Sequence, residues 1–206
     1  QRQMCIRDSS LGANVLAARF YASGKEKEMS ETVHTSITLA LISGLVMALA
    51  GVLLARFALN LMGTPNDVID QSVLYMRIYF LGMPFFMLYN YGAAILRAVG
   101  DTKRPLFFLV ISGMTNAVLN LVLVIVFHMG VAGVAIGTIV SQLISSILVL
   151  RCLYTSNTSY RLYFSKLGIK TQYLKQIFQV GIPAGIQSTV INLSLSLIHI
   201  SEPTRP

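Results

Sequence analysis

The sequence predicts an all-α fold, a polytopic bundle of membrane-spanning helices. Three observations carry that prediction. Hydrophobic residues make up 54% of the 206-residue chain and charged residues only 12%, about half the charged share usual in a soluble domain. The apolar stretches run far past the ~10 residues of a barrel strand and show no alternation. The acidic residues, Asp8, Glu26, Glu28, Glu31, Asp67, Asp70, Asp101 and Glu202, all fall in loops, turns or chain ends. The two cysteines give no disulfide framework, and tryptophan is absent, so tyrosine must supply any interfacial aromatic belt.

The ends read as foreign to the rest. The string CTGTCTCTTATACACAT codes for Leu195–His199 (LSLIH), and its reverse complement, ATGTGTATAAGAGACAG, codes for Met4–Asp8 (MCIRD) and the start of a serine codon. One oligonucleotide on opposite strands thus accounts for both ends. Residues 1–9 and 195–206 are expected to be adapter-derived artefact and are set aside from fold reasoning. On this expectation the chain is a fragment of a longer gene, open at both ends.

Taken in order, residues 10–21 form the end of a first span, and residues 22–31 (ASGKEKEMSE) a polar loop. Residues 32–62 form a second span. Thr64-Pro65-Asn66-Asp67 then supplies turn chemistry and the acidic first turn of a helix. Residues 71–99 form a third span, with Pro84 removing a backbone donor mid-way and kinking it. Residues 100–104 (GDTKR) turn, and Pro105 opens the next helix. Residues 105–127 and 131–153 are the arms of a helical hairpin with a short His128-Met129-Gly130 turn. Residues 155–174 are a polar, basic loop, and residues 175–194 begin another apolar helix with Gly181, Pro183 and Gly185 near its start.

Charge placement agrees with this alternation. Arg19, Lys25, Lys27, Arg97, Lys103, Arg104, Arg151, Arg161, Lys166, Lys170 and Lys175 gather on one side; Arg56 and Arg77 lie on the other. By the positive-inside rule, loops 22–31, 100–104 and 155–174 are cytoplasmic. The formal charge of +8 therefore records membrane orientation and contact with anionic lipid, and gives no reason to expect a nucleic-acid partner.

The hairpin holds the polar residues of interest. Asn120 is seven residues before Phe127, and Thr138 seven after Val131, so both sit about 10 Å below the same face at 1.5 Å per residue. Asn116 is one turn deeper on the same helix face, and Ser112 extends the stripe. Amide and hydroxyl oxygens suit a hard cation, with a carboxylate required to balance its charge. The plainer reading is a set of interhelical hydrogen bonds, worth about 0.6 kcal/mol each in membranes.

Three sequence stretches, in this order, resemble the multidrug and toxic compound extrusion (MATE) family: ANVLAARFYASGK (13–25), AAILRAVGDTKRP (93–105) followed by the Asn116/Asn120 pair, and GVAGVAIGT (130–138). GIPAGIQ (181–187) is similar to the start of the family's seventh helix. The resemblance implies most of one six-helix lobe of a twelve-helix transporter, helices two to six, plus the start of the second lobe after a cytoplasmic inter-lobe loop. It implies secondary active efflux of cationic or amphipathic drug-like compounds by antiport with Na⁺ or H⁺ across the cytoplasmic membrane. It also implies no cofactor beyond the coupling ion, and action as a monomer when full length. The family's first-lobe cation site uses a helix-one aspartate, a polar pair on helix five and a threonine on helix six. Asn116, Asn120 and Thr138 fall on the last three, as ligands for Na⁺ or its proton equivalent. Some relatives carry a carboxylate where Asn120 stands, and the helix-one aspartate would precede Ser10.

Cavity or hinge candidates are Pro84, Met87, Gln142 and Pro183. Pro84 is either a hinge or a structural kink, Pro183 either a bending point or a helix start. Met83, Phe85, Phe86, Met87 and Tyr89 either line an adaptable cavity or pack as core and lipid-facing side chains. Gly130, Gly133 and Gly137 read as close-packing positions; His34 and His128 as interfacial residues; Arg97 with Asp101 as a structural i, i+4 pair. Alternatives to efflux remain: a lipid-linked oligosaccharide flippase, which calls for cavity-facing cations; a membrane-embedded enzyme, which calls for a buried His, Ser or carboxylate cluster; and a non-functional fragment.

Overall fold

The computed structural model describes residues 2–63, 66–156, 158–163 and 168–201. Thr64, Pro65, Lys166 and Glu202 lie outside the described residues. The chain is a bundle of α1 (Arg2–Ala22), α2 (Glu26–Leu61), α3 (Asn66–Leu81), α4 (Met83–Ala98), α5 (Lys103–Leu121), α6 (Gly130–Thr155) and α7 (Thr171–Ser201). Helical backbone continues through 2–9 and 195–201, the segments expected to be adapter-derived. Among the described residues three helices are long and apolar enough to cross a membrane, or four when the bent α3–α4 pair counts as one span.

Each helix ends where its sequence lets it. After α1, Gly24 takes φ +66° and the Lys25 amide bonds back to the Phe20 carbonyl. After α4, Gly100 takes φ +86° and the Asp101 amide bonds back to Leu96. Both are six-to-one closures on a left-handed glycine. The stretch expected as one span over 71–99 is two helices bent by 43°. Pro84 stands in the first turn of α4 rather than mid-helix. Having no N–H, it cannot continue a ladder from α3, and the Phe85 and Phe86 amides both turn to the Gly82 carbonyl.

In lipid the hydrophobic effect gives helices little reason to associate; close packing and hydrogen bonds do that work. The bent pair lies against α2 through two small residues. A Cβ on Gly44 would stand 2.5 Å from the Pro84 Cα, and one on Gly51 would run into the Phe80 ring. Gly92 of α4 leaves room for Val149 of α6, and Gly12 of α1 for the Ile177 carbonyl of α7. Asn14 on α1 donates to the Ala94 carbonyl on α4 at 3.1 Å. The main core gathers Met29, Ile37, Ile95, Leu96, Val149, Leu153, Leu162 and Ile177. α5 stands apart from it: Leu106, Phe107, Leu109, Val110, Met114 and Val118 point outward, while Pro105 and Ser112 are buried.

The hairpin turn is tight. His128 takes φ 51° and Gly130 φ 55°. Just before it the first arm widens into a π-helical turn at Val122–Val126.

Candidate functional site

The facing polar surfaces of α5 and α6 form one hydrogen-bonded network. Ser112 Oγ donates to the Ser141 carbonyl at 2.7 Å. Asn116 Nδ2 donates to Thr138 Oγ1 at 3.3 Å and to Ser141 Oγ at 3.2 Å. Asn120 Nδ2 donates to Asn116 Oδ1 at 3.0 Å.

The chemistry fixes the direction of every bond. Thr138 spends its hydroxyl proton on the Val134 carbonyl at 2.9 Å, and Ser141 spends its own on the Thr138 carbonyl at 2.8 Å. Both hydroxyl oxygens can therefore only accept, so Asn116 must present its amino group to them. Its carbonyl then faces Asn120, which must present its amino group in turn. The Asn120 carbonyl is left over: Oδ1 is buried and, among the described residues, has no hydrogen-bond partner. A buried acceptor in that state costs about 1–3 kcal/mol. Room for it comes from Gly137, where any Cβ would overlap Oδ1.

The structure thus brings together Asn116, Asn120 and Thr138, and adds two residues. Ser141 was legible as the i+3 neighbour of Thr138 on one helix face. Gly137 is the wall beside the free carbonyl, a role beyond the close packing read from the sequence.

The other candidates lie elsewhere. Gln142 turns its carbonyl toward the α3–α4 bend, where a Cβ on Gly82 would be 2.9 Å from its Oε1. Met83 and Met87 are buried in the main core, and Tyr89 donates its hydroxyl to the Pro105 carbonyl at 3.0 Å. Pro183 sits inside α7, which already begins at Thr171, and borders a shallow groove of about 530 Å³ with Leu174, Phe178 and Ile182. Asp101 pairs with Arg104 at 3.2 Å.

Long apolar helices, two of them joined by a polar seam, define a polytopic helical membrane protein. The chain belongs to the multidrug and toxic compound extrusion family: the family model, MatE, matches residues 8–122. It is 32% identical over 192 residues to the probable multidrug resistance protein YoeA of Bacillus subtilis, covering 89% of this chain and 41% of that protein. It is 33% identical over 170 residues to the probable multidrug resistance protein YpnP of the same organism, covering 82% and 38%. The fold is similar to a crystal structure of MATE in the bent conformation, with TM-score 0.85 at 21% identity over 93% of this chain and 43% of that one. The chain therefore spans about two fifths of the length of these curated relatives.

Proposed function

We propose that this chain is most of the first lobe, with the start of the second, of a two-lobed exporter. The complete protein moves cationic or amphipathic drug-like molecules out across the cytoplasmic membrane by antiport with Na⁺ or H⁺. Asn116, Asn120 and Thr138 carry the coupling ion, and the chain faces the cytoplasm at 22–31, 100–104 and 155–174, the first of which lies largely in the opening turns of α2 rather than in a loop.

The observation that supports the reading most is the orphaned Asn120 carbonyl. Hydrogen bonds hold the network so that one amide oxygen is buried, bare and fixed in place. Such an oxygen suits a small hard cation or a proton donor, and Asn120 is tied through Asn116 to Thr138. Charge balance calls for a carboxylate, which in the family comes from the helix preceding α1. Pro84 and Pro183 serve as hinge points as one lobe rocks against the other around a central cavity, with Met87 and Gln142 near the moving parts.

The test is ion-driven efflux by the complete transporter in proteoliposomes. Asn120→Ala and Thr138→Ala are expected to weaken the dependence of drug efflux on the ion gradient. Unchanged coupled transport by both single variants refutes the assignment.

A further inference from the structure

We propose that His34 and the segment after α6 form a clasp that acid releases: a neutral imidazole grips the Tyr163 backbone, and its protonation frees the joint between α6 and α7. The proposal is independent of the α5–α6 site.

His34 lies in the early turns of α2 and is buried. Its Nδ1 is 2.6 Å from the Ser30 carbonyl, one helical turn earlier. A carbonyl only accepts, so Nδ1 carries the hydrogen and Nε2 is a bare lone pair. That lone pair accepts the Tyr163 amide at 3.0 Å, across 129 residues of sequence. The two rings also stack, 6.3 Å apart and 6° from parallel. The same linker is anchored at the Leu162 amide, which bonds to the Leu153 carbonyl at 3.1 Å, and at Lys170, which pairs with Glu31 one turn before His34.

Protonation turns Nε2 from acceptor to donor, so two N–H groups then face each other and the Tyr163 amide loses its partner. Among the described residues, the charged and titratable groups at the junction include Lys27, Glu28 and Glu31 on α2, Tyr154 on α6, Tyr160, Arg161, Tyr163 and Lys170 in the linker, and Tyr173 on α7. Glu31, one turn before His34, is already engaged by Lys170 and Tyr173. The Arg161 guanidinium stands 5.2 Å from the centre of the Tyr163 ring on which His34 stacks. Neither contact supplies the acceptor that the Tyr163 amide loses.

The test is hydrogen–deuterium exchange at the Tyr163 amide in the complete transporter in nanodiscs, corrected for intrinsic rate, from about pH 8 to pH 5. Wild type is expected to exchange about five-fold faster at the acid end, the factor for one net hydrogen bond. His34→Ala is expected to exchange at the fast rate throughout. His34→Gln, whose amide oxygen can accept in place of Nε2, is expected to stay protected with no pH step, and it keeps the test decisive should His34→Ala not fold. A flat wild-type profile, an unchanged step in His34→Gln, or loss of the step in Glu31→Gln would each overturn the clasp. So would an imidazole nitrogen spectrum showing the hydrogen on Nε2 at neutral pH.

Discussion

Asn120 donates to Asn116 one helical turn earlier, at 3.0 Å, and so leaves its own carbonyl buried against the bare backbone of Gly137. This pairing makes Gly137 the position most sensitive to size in the hairpin. Gly137→Ala places a methyl on Asn120 Oδ1, which must either rotate the amide out of the network or spread the two arms. The expected cost is about 1–3 kcal/mol, typical of overpacking. Gly113→Ala on α5 is the control, because nothing among the described residues lies within 4 Å of its Cβ position; it should be neutral or slightly stabilising. Reversible unfolding in mixed micelles measures both. Equal behaviour of the two variants would remove Gly137 from the site.

Asn116 has two acceptors for one amino group, Thr138 and Ser141. Removing either leaves the other, so Thr138→Ala and Ser141→Ala should each cost only about 0.6 kcal/mol. Removing both leaves the whole amino group without an acceptor, and the double variant should lose more than the sum of the singles. A double-mutant cycle on the same unfolding assay reads this directly. Strict additivity would mean that Asn116 is not shared between the two hydroxyls.

Much of this network was legible, and the remainder has a physical reason for being hidden. The lengths and polarity of the two arms predict an antiparallel hairpin with Asn116, Asn120 and Thr138 turned inward, and the structure brings the three together. Counting residues from the turn places Asn120 level with Thr138. In the structure Thr138 meets Asn116, and Asn120 meets Gly137. The count assumes an α-helical rise throughout, whereas Val122–Val126 forms a π-turn, which fits more residues into each turn. Nothing in VLVIV announces that turn. Pro84 announces a break in the third span, yet whether a proline sits within a bent helix or opens a new one depends on where neighbouring amides find carbonyls, and here they find Gly82. The grip of His34 on Tyr163 joins residues 129 apart; no local pattern encodes such a contact.

Gly44 fixes how closely the bent span approaches α2. Its Cβ position is 2.5 Å from the Pro84 Cα, a backbone atom that cannot turn aside. Gly44→Ala is therefore expected to destabilise the bundle by about 1–3 kcal/mol. Pro84→Ala should not rescue it, because trimming the ring leaves the Cα in place. The melting temperatures of the single and double variants decide the matter. Rescue by Pro84→Ala would show that the ring, rather than the backbone, sets the distance.

The junction of α2 with α7 should respond to pH at both extremes, with opposite signs. Glu31 accepts from Lys170 and Tyr173, and the Lys170 bond above all holds its carboxyl below the ordinary value of 4.5. A carboxyl whose folded-state pKa is depressed stabilises the fold above its ordinary value, and that stability is lost as pH falls. Tyr173 is pushed up to about 12, first by burial and then by its hydrogen bond to Glu31. Its contribution is complete below the ordinary phenol value of 10.0 and is lost as pH rises toward 12. Glu31→Gln should abolish the acid-side loss. On the alkaline side it should lower the Tyr173 titration only in part, since burial remains. Stability against pH, together with phenolate absorbance compared with a Tyr173→Phe variant, measures the two arms separately. An acid limb that persists in Glu31→Gln, or a Tyr173 titration at the ordinary phenol value in wild type, would show that the two groups do not meet.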